Sequence, residues 1–156
     1  MSIDAERYEE DFYRWTQAQA ALMKARQWDA LDLANLVEEI TALGISEKRA
    51  LGSHLKNLVM HLLKWQHQPR GRQIGPSWRS SIVNARDEIS ALLEDSPSMQ
   101  AEVPAILARR YPAARVLAHD QTGLPLTALP ESCPWTVDQV LDQDFWPGED
   151  AIPEAR

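Results

Sequence analysis

The stretch SEKRALGSHLKNLVMHLLKWQHQ, residues 46–68, constrains the fold more than any other part of the chain. Leu51, Leu55, Leu58, Leu62 and Trp65 recur at +4, +3, +4 and +3, a single row along an α-helix. At about 100° per residue, Gly52, Val59 and Leu63 widen the apolar face on one side of the row. His54 and His61 border it on the other, and Arg49, Lys56 and Lys64 mark the arc left for water. A helix apolar over more than half its circumference needs neighbours on two sides. The spacing therefore predicts a central helix inside a helical domain.

The rest of the chain reads as its surroundings. A helix is expected from about Glu9 to Arg26, with Phe12, Trp15, Gln19 and Leu22 on one face. A second starts near Asp29 or Asp32 and runs to Leu43 on a stripe of Leu33, Leu36, Ile40 and Leu43. Gly44 reads as the residue that ends it and Ser46 as the cap of the central helix, so the two should lie antiparallel. PRGRQIGPS, residues 69–77, reads as a loop, and a fourth helix follows from Pro76 or Ser77 to about Glu94. Ser96-Pro97 starts a helix that Pro104 and Pro112 should break, its last piece ending at Gly123. A proline-rich extended segment follows, then a short helix opened by a Thr136/Gln139 capping box, with Phe145 and Trp146 tucked back.

No stretch of any length alternates with the period of a strand, so the fold class expected is all-α. It is read as an up-down bundle of four longer helices, then short proline-broken helices and an irregular C-terminal arm. One domain of 156 residues is expected, with a core of about residues 8–95, a wrapping segment of about 96–147 and a frayed tail at 148–156.

Nine blocks in this order carry a family resemblance: YEEDFYRW (8–15), LANLVEEI (33–40), HLLKWQ (61–66), SWR (77–79), DSPS (95–98), RYPAAR (110–115), TGLP (122–125), PESCPWT (130–136) and DFWP (144–147). Together they resemble the bacterial family catalogued as domain of unknown function 29. The resemblance spans nearly the whole chain. It implies a helical fold and assigns no activity and no catalytic residue.

Charge is divided unevenly. Residues 1–47 hold ten acids against four bases, whereas Lys48 to Arg86 holds eight bases and no acid, within a net charge of -7. Such a middle can be an anion-binding face, or the acidic ends can fold back and neutralise it. The second is expected here. With no apolar run of 18 residues and one cysteine, Cys133, no membrane span or internal disulfide is expected, and the cytoplasm is the compartment expected.

Chemistry has one candidate cluster. Glu39 borders the apolar stripe of the second helix, His54 and His61 border that of the central helix, and Arg79 and Arg86 lie beside Ile82 and Ile89 on the fourth. A hydrogen-bonded network, Glu39 pairing with Arg79 or Arg86, is the leading reading. A metal site is disfavoured, because His54 and His61 stand about 10.5 Å apart along the axis and no histidine has an acid three residues before it. Cys133 lies in no motif that would make it a nucleophile. An anion or nucleic-acid patch would use Lys56, Lys64, Arg70 and Arg72.

No catalytic, cofactor or metal residue is therefore assigned. The function expected is a non-enzymatic protein-binding or adaptor module. The alternatives are an enzyme or ligand binder using Glu39, His54, His61 and Arg79, and a phosphate or nucleic-acid binder using residues 48–86. Nucleic acid and membrane are not expected as partners, and the pattern allows a homo-oligomer without predicting one.

Overall fold

Helix is the regular structure throughout the computed structural model, which describes residues 3–72 and 77–148. No strand occurs among them, so the chain is all-α, as its periodicity requires. The expected tail and the middle of the 69–77 loop fall largely outside the described residues. The helices are α1 (Ile3–Glu10), α2 (Phe12–Lys24), α3 (Leu33–His67), α4 (Ser77–Asp95), α5 (Val103–Thr122) and α6 (Val137–Leu141). By contacts the chain divides into two compact units, residues 1–46 and residues 47–156.

The first unit is a helical hairpin. The single helix expected from Glu9 is two, because Asp11 leaves helical geometry and its carboxylate accepts the Arg14 N–H at 3.0 Å, capping α2. At the other end Arg26 takes the left-handed conformation (φ 56°), and the Gln27 N–H turns back to Leu22 O at 2.9 Å. A short 3-10 turn, Trp28–Ala30, leads into α3. Trp15 Nε1 then donates to Asp32 Oδ2 at 3.0 Å, and the Asp32 N–H donates to Gln19 Oε1 at 2.8 Å, both bonds buried. Tyr8 hydrogen-bonds Glu39 further along. As numbers fall on the first arm of the hairpin they rise on α3, so the two run antiparallel.

The two helices expected on either side of Gly44 are one. α3 runs unbroken for 35 residues, with Gly44 and Ser46 inside it. Gly44 is not among the glycines with positive φ, and Thr41 Oγ1 bonds Val37 O four residues back, as a continuing helix allows. A glycine ends a helix when the chain must turn left-handed there. Here no proline follows, and Glu47-Lys48-Arg49-Ala50 are strong helix formers, so the cost of one glycine is smaller than that of stopping and renucleating. A Cβ at Gly44 would meet nothing within 4 Å. Gly44→Ala is therefore expected to raise the unfolding free energy by about 0.5–1 kcal/mol. Urea denaturation checks it: a residue in a left-handed cap would give a loss.

The second unit holds the core. Leu51, Leu55, Leu58, Leu62 and Trp65 are buried, with Val59 and Leu63 beside them, against Ile82, Ala85 and Ile89 of α4 and Val103, Leu107, Tyr111 and Ala114 of α5. Contacts of α3 with α5 and its N-cap rise together along the chain: Lys48 with Glu102, Gly52 with Arg110, and Lys64 with Gln121. The two therefore run in the same direction. At the middle crossing a Cβ on Gly52 would lie 2.8 Å from Arg110 Nε, so the guanidinium, rather than either helix backbone, would have to shift.

Pro112 does not break α5, contrary to expectation, and Pro104 sits in its first turn, where no N–H is needed. Pro112 points outward and exposed, while Leu107, Tyr111, Ala114 and Ala118 bury one continuous face across it. That burial, together with the Tyr111 hydroxyl donating to Pro130 O at 2.6 Å, offsets the roughly 3 kcal/mol that an interior proline costs. Gly123 ends the helix in the left-handed conformation (φ 74°), as expected. The Thr136/Gln139 capping box is present on α6, with bonds of 3.2 and 3.0 Å.

Candidate functional site

The expected polar cluster is distributed over both units. Glu39 lies in the hairpin, half-buried, where it accepts from Tyr8; the bond to this carboxylate and its charge push the phenol up to about 12. The other four belong to the second unit. His54 is half-buried, with no hydrogen bond to any described residue. His61 is also half-buried, its Nδ1 2.8 Å from Asn57 O on its own helix.

Arg79 and Arg86 converge on an aromatic ring rather than a carboxylate. The Arg79 guanidinium lies 4.5 Å from the centre of the Trp146 ring and that of Arg86 5.5 Å. Arg86 is only 2% exposed. It donates through Nε to Val140 O at 2.9 Å and through one Nη to Phe145 O at 2.8 Å, and its other Nη has no hydrogen-bond partner among the described residues. Burial lowers its pKa, with the charge of Asp142 opposing.

The basic patch divides in the same way. Lys64 is buried, donating to Gln121 Oε1 at 2.9 Å and lying over the Trp78 ring, and burial lowers its pKa. Arg72 donates to Trp65 O at 2.6 Å and to Pro147 O at 3.4 Å, and its guanidinium lies over the Trp65 ring, which packs on Trp146 at 4.8 Å. Arg70 is exposed and Lys56 half-buried. Three of the eight bases, Arg72, Arg79 and Arg86, are thus met by carbonyls or the Trp146 ring of the C-terminal arm. Among the described residues the ion pair of the basic middle with an acid is Lys48–Glu102, at 3.1 Å.

Cys133 is a half-buried thiol whose Sγ lies 3.5 Å from Trp135 O, and burial pushes its pKa up. A protonated thiol is a poor nucleophile. No group of three or more His, Cys, Asp or Glu that could hold a metal occurs among the described residues. None of the described helices is long and apolar enough to cross a membrane.

Histidine protonation gives a test of this packing. Burial lowers the pKa of His61, with the Asn57 carbonyl opposing and Lys64 adding to the fall, and burial also lowers that of His67. A depressed folded value means that the unfolded chain binds protons first as pH falls. The contribution of these residues is complete above their ordinary value of 6.5 and is lost below it. The melting midpoint is expected to drop from about pH 7 to about pH 5, and His61→Gln with His67→Gln should flatten that slope. An unchanged slope in the double variant would place the titration elsewhere.

A larger feature went unseen in the sequence. Phe12, Trp15, Gln19 and Met23 of α2 face Leu36, Glu39, Ile40 and Leu43 of α3 across an open groove of about 450 Å³ in the hairpin. Its rims are apolar and wet: Ile40 is 65% exposed and Leu43 67%. The stripe Leu33, Leu36, Ile40, Leu43 was legible in the sequence, but its period says nothing about what covers it.

Comparison with known proteins fixes kinship and leaves activity open. No curated protein and no solved structure matches the chain. The family model described as "Domain of unknown function DUF29" matches residues 7–146, nearly the whole length over which the helices are built. The chain belongs to the family of the domain of unknown function DUF29.

Proposed function

We propose that this protein is a non-enzymatic protein-binding module whose contact surface is the groove face of the hairpin. The observation that carries the reading is the placement of its exposed apolar side chains. Phe12, Met23, Ile40 and Leu43 line the groove and are each at least 38% exposed, and Leu33 and Val37, one helical turn before Leu36 and Ile40, are exposed as well. Tyr13, Trp28, Ile45 and Val116 are exposed away from it, but a group of large apolar side chains lining one groove marks a contact site where single ones do not. In this reading the arginines around Trp146, and His54 and His61 beside the core, serve the scaffold. The lone reduced cysteine supports a cytoplasmic setting.

Site-specific photocrosslinking in cells tests it. A photoreactive residue at Ile40 or Leu43 is expected to give a discrete protein adduct, and one at Glu88, exposed on α4, is not. No adduct at either hairpin position, or equal labelling at Glu88, would defeat the reading.

A further inference from the structure

We propose that the occupant of the hairpin groove is a second copy of this chain, the two hairpins packing antiparallel into a four-helix bundle. The proposal rests on the protein-binding reading above and names its partner. Three observations on the hairpin support it.

The first is shape. An antiparallel helix pair with an open apolar seam is half of a four-helix bundle. A two-fold axis across the hairpin would lay groove on groove, and the same residues would serve on both sides. Ile40 and Leu43, which stand up from the rim at the Phe12 end of one copy, then lie over the Met23 end of the groove in the other.

The second is area. Phe12, Met23, Leu33, Val37, Ile40 and Leu43 are 38–67% exposed. Side chains of this size together present on the order of 700 Å², close to the roughly 800 Å² that each partner contributes to a standard interface. A small ligand would leave most of that surface wet.

The third is charge. The end of the hairpin near Phe12 carries Glu9, Glu10, Asp11, Glu38 and Glu39 against Arg7 and Arg14. The opposite end, at the connection, exposes Lys24 and Arg26 against Asp29, with the Asp32 carboxylate buried behind them. Antiparallel pairing sets the acidic end of each copy against the exposed Lys24 and Arg26 of the other, whereas parallel pairing would set acid on acid. The same asymmetry selects the orientation of the dimer.

Analytical ultracentrifugation of the full chain over a wide concentration range is the test. The expected result is a species of twice the 17.7 kDa chain mass. Ile40→Glu with Leu43→Glu should raise the dissociation constant by at least about 100-fold, as the loss of two central contacts would. Both side chains are exposed in the single chain, so the variant should keep its melting midpoint when measured dilute. Lys24→Glu should weaken the dimer by a smaller factor that shrinks as salt is raised. A monomer at every concentration would overturn the proposal, as would a dimer indifferent to the Ile40/Leu43 change. If crosslinking at Ile40 yields an adduct to a different protein while the chain stays monomeric, the binding reading stands and the second copy is excluded.

Discussion

Leu58→Ala is expected to lower the unfolding free energy by about 2–5 kcal/mol, the range for a leucine truncated in a closed core. Leu58 has no exposed surface, and it stands midway along the buried row from Leu51 to Trp65. The α4 and α5 side chains around it are themselves fully packed, so they have little freedom to close the void. Leu43→Ala supplies the control. It lies on the same helix with the same chemistry, but is 67% exposed, so its loss should stay within about 0.5 kcal/mol, as for surface sites generally. Urea denaturation of the two variants at low protein concentration measures both. Equal losses would show that the two halves of α3 are packed alike and would remove the open groove.

Arg86→Met should cost about 2–3 kcal/mol, and the loss should be local to the C-terminal arm. Two carbonyls, Val140 O and Phe145 O, lose their donor, and each buried carbonyl left unmet costs about 1–3 kcal/mol. Part of that returns, because a guanidinium with one nitrogen unbonded no longer has to be kept from water. Arg86→Lys should not rescue the loss, since an ammonium lacks the planar fork that serves two carbonyls while lying over Trp146. Hydrogen exchange is the readout that separates this from general weakening. Residues 137–148 should lose protection while the buried row of α3 keeps its own. Uniform loss along the chain would assign Arg86 to the core instead of the arm.

These two residues also show where the sequence was legible. The period of Leu51, Leu55, Leu58, Leu62 and Trp65 identified the core helix because α4 and α5 cover it, and burial is what such a period ordinarily records. The period of Leu33, Leu36, Ile40 and Leu43 is just as regular, yet it faces a groove, because the pattern of one helix contains no information about its partner. Gly44 misled for a related reason. Glycine marks a helix end only where the backbone turns left-handed, as at Gly123, and the residue type is the same in both places. The capping box at Thr136 needed no tertiary knowledge, since both of its bonds lie within four residues. The arginines were the hardest to place. Arg86 was expected to seek Glu39, a carboxylate, but main-chain carbonyls are invisible in a sequence, and the arm offers them in place of an acid.

The way the arm is held decides which conditions can release it. A segment tied down by ion pairs between side chains comes loose in concentrated salt, which screens the charges, or in acid, which discharges the carboxylates. The arm from Val140 to Pro147 is held by guanidinium donors on carbonyl dipoles and by flat contacts on indole rings. Mineral salt weakens cation–carbonyl and cation–ring contacts less than pairs of full charges, and arginine keeps its charge at any ordinary pH. What competes directly is a solute that is itself a planar cation. Guanidinium chloride should therefore free the arm at concentrations where sodium chloride leaves it seated.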